Sequence, residues 1–269
     1  MKKIKDTLHK HLRIPYRLTI THDSKNGTPV IFLHGIASSS ITWRNVIPLV
    51  SDTHRAITLD LLGFGDSPKP DWQEYTLDEH AAAVIRTIKS LRLKQPVLLV
   101  GHSMGSLIAV AVAKKSPNLI ERLILCSPPI YLSDDMQKLY EDNRSSDRYI
   151  NNVYFKIYEA IRNSPEFTLK SAQRIMSYAA DTTSFRLDEN TWYSFQKSLK
   201  NSIESQTTYV DLLETTTPVD CIYGSLDVFV SGKYLRQIAT KNSNVCVHKI
   251  LARHEISESY AKKVVQIIG

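Results

Sequence analysis

The residues with the clearest capacity for chemistry are Gly101-His102-Ser103-Met104-Gly105, a hydroxyl held between two glycines. A serine hydroxyl is a weak nucleophile at neutral pH. It attacks a carbonyl only with a base within hydrogen-bond reach, itself oriented by a carboxylate. Nine histidines compete to be that base. No His, Cys and carboxylate set has metal-ligand spacing, and no phosphate-binding glycine loop is present. The chemistry indicated is acyl transfer without a metal or cofactor.

Such a serine needs elements that hold it, and the sequence supplies them. Pro96-Val97-Leu98-Leu99-Val100 reads as a buried parallel strand, and Met104 to Ala113 as a nearly all-apolar helix. Ser103 sits at the join, where a sharp turn brings neighbouring main chain close and calls for glycine on both sides. Short β-type runs alternate with amphipathic segments along the chain, the pattern of a mostly parallel sheet flanked by helices. Strands are expected at Tyr16–His22, Val30–Leu33, Ala56–Asp60, Val97–Gly101, Arg122–Cys126, Val219–Tyr223 and Val245–Ile250. Helices are expected at Ile41–Val50, Leu77–Leu91 (capped by Thr76 or Asp78), Met104–Lys115, Lys233–Lys241 and Glu258–Ile268. From Pro128 to Pro218 the alternation stops, with none of the nine glycines and eight of the thirteen tyrosines. A structureless loop of that length is foreign to a compact domain, so residues 128–217 are read as a helical insertion into a core of 1–127 and 218–269.

Charge and composition bound the partners. The net charge of +7 is concentrated at the start, where Lys2, Lys3, Lys5, Lys10, Arg13 and Arg17 oppose only Asp6. Ile4, Leu8 and Leu12 recur every four residues there. One reading is a basic amphipathic helix touching a membrane surface; the plainer one is a solvated arm packing these three side chains onto the body. No aromatic-studded basic stripe points to nucleic acid. Cys126, Cys221 and Cys246 lie in apolar runs and read as buried free thiols, which suits a cytoplasmic protein. No secretory leader is apparent.

Several motifs in one order resemble the α/β-hydrolase family nearly end to end. Val30-Ile31-Phe32-Leu33-His34-Gly35 is similar to its strand and His-Gly oxyanion turn. Asp60-Leu61-Leu62-Gly63-Phe64-Gly65-Asp66-Ser67 resembles the loop after its next strand, and Gly101 to Gly105 its nucleophile elbow. The resemblance implies an α/β-hydrolase fold with residues 128–217 as a helical cap. It also implies a Ser…Asp…His order. Of the histidines after Ser103, His248 lies within a strand pattern and His254 in the loop beyond it, the family's position for the base. Arg253 stands before it where the family usually has Gly. Gly224-Ser225-Leu226-Asp227 resembles the family's acid loop and nominates Asp227, while Arg122–Cys126 runs into Ser127-Pro128-Pro129 without a carboxylate. The backbone amides of Ile36 and Met104 are the implied oxyanion hole. Trp43, Trp72, Tyr131, Tyr154, Tyr158 and Trp192 are candidate pocket walls, each with helix packing as its alternative role. Serine at the elbow disfavours the family's dehalogenases and epoxide hydrolases, which use Asp. A carboxylesterase acting on a small-molecule acyl substrate is expected first. A C–C bond hydrolase, thioesterase or acyltransferase on the same triad are the rivals, and a slow-turnover ligand receptor is the rival from another class.

Overall fold

The computed structural model describes residues 2–130, 132, 169–170, 173 and 184–269. Seven strands form one sheet in the order β1-β3-β2-β4-β5-β6-β7. They are β1 Ile20–Asp23, β2 Thr28–Leu33, β3 His54–Leu59, β4 Val97–His102, β5 Ile120–Cys126, β6 Val219–Gly224 and β7 Val245–Ile250. Only the β1–β3 pair is antiparallel; every other pair is parallel. The helices are α1 Lys2–Leu12, α2 Ile47–Val50, α3 Leu77–Ser90, α4 Met104–Lys115, α5 Glu189–Ser198, α6 Thr208–Glu214, α7 Gly232–Lys241 and α8 Glu258–Ile268. The residues of α3, α4, α6 and α7 cover one face of the sheet, and those of α2 and α8 the other.

Parallel strands covered on both faces must be apolar along their length. All six positions of β4 are accordingly buried, as are Met104 to Ala113 of α4, which lies between the sheet and α3. Thr76 caps α3: its hydroxyl accepts from Glu79 N–H at 3.2 Å, and the Glu79 carboxylate accepts from Thr76 N–H at 3.1 Å.

Three expectations change. The helix expected over Ile41–Val50 is a 3-10 turn, Ser40–Trp43, followed by α2. Pro48 is the cause, since its ring lacks an N–H and fits only the first turn of a new helix. The strand expected from Tyr16 begins at Ile20, because Leu18 and Thr19 give their N–H groups to the Thr87 and Ser67 hydroxyls, both at 2.9 Å, instead of to a neighbouring strand. Cys126 and Cys221 are buried thiols, but Cys246 is exposed, because it points outward from the edge strand β7.

Of residues 128–217, the described parts are largely helical: α5, a π-type turn Leu199–Glu204 and α6. Hydrogen bonds staple this segment to the core loops, among them four to backbone carbonyls at 2.7–2.8 Å. Arg186 N–H donates to Ala37 O at 2.7 Å, and the Ser38 hydroxyl donates to Ser184 O at 2.8 Å. The Ser194 and Ser202 hydroxyls donate to Gly63 O and Tyr75 O, both at 2.7 Å. The last helix, α6, packs instead on α4 and α7, with Tyr209 edge-on to Tyr234 at 5.9 Å. It serves the sheet's cover.

Candidate active site

All the nominated residues outside the insertion, apart from Trp43 and Trp72, stand at the carboxyl ends of parallel strands, where open α/β sheets gather their sites. Ser103 joins β4 to α4 with φ 52° and ψ −122°, a left-handed backbone that a side chain adopts only when its surroundings impose it. They do. Its N–H is fixed to Cys126 O at 2.9 Å, and the Ser106 hydroxyl donates to Gly101 O at 2.8 Å. A side chain at Gly101 would place its first carbon 2.5 Å from Gly105 O, and one at Gly105 would lie 2.4 Å from Leu33 O and 2.5 Å from His34 O. Gly105→Ala is therefore expected to cost about 1–3 kcal/mol in stability, read as a fall in Tm, because the obstructing atoms are backbone and cannot step aside. An unchanged Tm would contradict this packing.

The Ser103 hydroxyl is 3.0 Å from His254 Nε2, and His254 Nδ1 is 2.9 Å and 3.1 Å from the two oxygens of Asp227. A carboxylate only accepts, so Nδ1 carries the proton and Nε2 faces the serine as the acceptor. Burial alone would lower the His254 pKa, but the charge and hydrogen bond of Asp227 outweigh it and raise it. Burial pushes Asp227 the other way, yet His254 and the N–H of Phe229, donating at 2.8 Å, hold it below its ordinary value. Through that bond Asp227 closes its own turn and does not cap α7, which Ser231 precedes.

Two loops make this meeting possible. Ser225 N–H donates to Ile250 O at 2.8 Å, and Leu226 N–H to Ala252 O at 3.0 Å. Gly224 lies so close that a side chain there would be 2.2 Å from Ala252 O. Arg253, in place of the family's usual Gly, has an exposed side chain and is not among the residues with positive φ, so the loop does not need glycine there. The rejected His248 binds Asp220 at 2.7 Å, and Asp220 also holds Arg122 at 2.5 Å.

His34 is buried and neutral. Its Nε2 accepts from Leu61 N–H at 2.9 Å, so Nδ1 donates to Gly35 O at 2.7 Å and fixes the turn carrying Ile36. A side chain at Gly35 would sit 3.2 Å from the Cβ of Ser103, so the turn lies directly on that serine. Met104 is the first residue of α4, whose opening N–H groups have no partner within the helix. Trp43 is fully buried, packed on Phe32 at 5.1 Å and edge-on to His102 at 6.4 Å, which is the placement of a core residue. Trp192 is half-buried and stacked on Phe195, and Trp72 lies 6.2 Å from Tyr16. Tyr131, Tyr154 and Tyr158 lie outside the described residues.

A sequence profile described as the alpha/beta hydrolase fold matches residues 28–258. The chain belongs to that family. Over 114 residues this α/β hydrolase is 40% identical to an Arabidopsis thaliana protein named probable lysophospholipase BODYGUARD 1, covering 40% of this chain and 24% of that one. Over 154 residues it is 32% identical to the 2-hydroxy-6-oxo-6-(2'-aminophenyl)hexa-2,4-dienoic acid hydrolase of Metapseudomonas resinovorans, covering 53% of each. The chain thus spans about a quarter of the first relative's length and about half of the second's. Among solved structures, a haloalkane dehalogenase loop variant from Bradyrhizobium elkanii matches with a TM-score of 0.71 at 20% identity, over 91% of this chain and 88% of that one. Such a likeness speaks to the fold alone.

Three residues of this α/β hydrolase escaped the sequence reading. His102, inside the elbow motif, donates from its Nε2–H to the backbone carbonyl of His254 at 2.9 Å. Burial, then the neighbouring His254, push its pKa down to about 3, so it stays a neutral donor. Ser127, where a carboxylate was sought and not found, is a buried residue with φ 49°; its hydroxyl meets that of Tyr260 at 2.6 Å and helps keep the pKa of Asp227 low. Phe229 stands edge-on to His254 at 4.9 Å. A histidine inside the elbow motif was the available signal for His102; Ser127 and Phe229 carried none. His102→Ala is expected to lower kcat roughly ten- to a hundredfold with KM little changed, since a loosened His254 misplaces the base. His102→Gln, which keeps an N–H donor, should recover most of that loss. Equal loss in both variants would assign His102 a packing role only.

Proposed function

We propose that the protein is a serine hydrolase that cleaves a carboxylic ester of a small or medium apolar substrate through an acyl-enzyme. The observation that supports this reading best is the unbroken hydrogen-bonded chain from Ser103 through His254 to Asp227. In the reaction His254 Nε2 takes the Ser103 proton as the serine oxygen bonds to the ester carbon. The carbonyl oxygen becomes an anion, held by the N–H groups of Ile36 and Met104 at the positive end of α4. The tetrahedral adduct collapses, the imidazolium protonates the departing alcohol, and the acyl group stays on Ser103. Water, deprotonated by the same imidazole, then attacks the acyl-enzyme, and its collapse returns the serine and releases the acid.

The test is turnover of a p-nitrophenyl acyl-ester series combined with organophosphonate labelling located by peptide mass. Hydrolysis with label on Ser103 supports the reading, and a folded protein that does neither overturns it in favour of a ligand receptor. The chain-length profile of the esters names the substrate size. A C–C bond hydrolase is the second reading, favoured by the match to the Metapseudomonas resinovorans hydrolase across half of both chains. Cleavage of a vinylogous 1,5-diketone acid with slow ester turnover would decide for it.

A further inference from the structure

The first helix is mounted inside out. An amphipathic helix on a soluble protein turns its apolar stripe to the core. Among the described side chains of α1, those of residues 6–12, the ones tied to the body are polar. His9 is buried, stacks on Tyr16 at 3.9 Å and donates from Nδ1 to Ile14 O at 2.7 Å, while Asp6 accepts from the Tyr16 hydroxyl at 3.1 Å. Leu8 and Leu12, four residues apart and so on one face, are 50% and 62% exposed. The expected packing of these leucines onto the body is thereby corrected: the stacked His9 and bonded Asp6 occupy the contact face.

Next to α1 lie two depressions: one, lined by Asp6 and His9 of the helix, mixes Asp66 with Arg17, Lys69 and Arg86, and the other is purely basic. Pro15 and Arg17, which follow the helix, line a shallow groove with Arg86, Lys89, Arg92 and Lys115, and no carboxylate lines it. Lys115 pairs with the exposed Asp78 at 3.1 Å, and Arg86 donates to Pro15 O. Lys10, Arg13, Arg17, Lys89 and Arg92 form no ion pair among the described residues. No helix among the described residues is long and apolar enough to cross a membrane.

We propose that α1 and the adjoining basic groove form a docking surface for an anionic lipid bilayer. Leu8 and Leu12 enter the boundary between headgroups and acyl chains, and the groove's cations meet the lipid charge. Two apolar anchors flanked by cations are what an interfacial helix requires, whereas a nucleic acid would use the cations and have no place for the leucines. The proposal is independent of the reaction, because neither α1 nor the groove contributes to the Ser103 site.

The experiment is co-flotation of the full chain with vesicles of phosphatidylcholine alone or mixed with phosphatidylserine. Binding only to the mixed vesicles, weakening as salt rises, is expected. Leu8→Asp with Leu12→Asp should weaken it roughly tenfold or more, and Lys89→Glu or Arg92→Glu by about fivefold or more for each cation lost. Far-ultraviolet circular dichroism unchanged from wild type keeps a misfolded variant from imitating these losses. Equal binding to both vesicles, no binding, or binding indifferent to the leucines overturns the proposal. So does a dimer in solution that the leucine variant dissociates without any vesicle binding, since a second copy would then be the occupant.

Discussion

Ser103→Ala is expected to abolish both ester turnover and organophosphonate labelling while the protein stays folded. The loss should be on the order of a millionfold in kcat, since removing the nucleophile of a serine triad leaves only binding and oxyanion stabilisation. Folding should survive because Ser103 is held by its backbone: its N–H bond to Cys126 O does not involve the hydroxyl. Among the described residues the hydroxyl's hydrogen-bond partner is His254, and alanine tolerates the same φ of 52° about as poorly as serine, so stability changes little. Intact mass after labelling and thermal unfolding separate the two effects. Label retained on the alanine protein would place the nucleophile elsewhere; label lost at a Tm close to that of the wild type assigns it to Ser103.

How much of this was legible beforehand depended on how local each constraint is. The strand–turn–helix around Ser103 could be read because its two causes, an apolar run on each side and glycine where backbones touch, lie within about twenty consecutive residues. Asp227 and His254 were placed by order along the chain and by likeness to a family, not by geometry, and their meeting depends on the close approach of Gly224 to Ala252, which no local pattern encodes. His102 was legible as a motif residue but not as a donor to the carbonyl of His254, 152 residues away. Misreadings followed the same rule. The apolar spacing of Leu8 and Leu12 implied burial, and what displaced them was a contact between His9 and Tyr16, two residues whose stacking periodicity does not report. Periodicity likewise cannot tell a helix running through Pro48 from one that begins there.

Asp227→Asn is expected to lower kcat by about ten-thousandfold and to move the acid limb of the pH profile to lower pH. The base must be neutral to accept the serine proton, so activity rises with pH through the His254 pKa. Asp227 raises that pKa above its ordinary 6.5, so the wild-type limb falls above this value. Asparagine retains the shape but loses the charge, while burial, which lowers the pKa, remains; the limb therefore shifts down even as the rate collapses. Stability follows with its own sign. The raised His254 pKa contributes stability present below about pH 6.5 and lost as pH climbs through the folded value; the lowered Asp227 pKa contributes stability present above about pH 4 and lost as pH falls through its own. The pair is thus most stabilising between those limits, and the wild-type advantage in Tm over Asp227→Asn should be widest there and shrink on either side. A limb that stays put, or moves up, would mean that another carboxylate orients His254, and a Tm difference constant from pH 4 to 9 would mean that the pair is not charged in the folded protein.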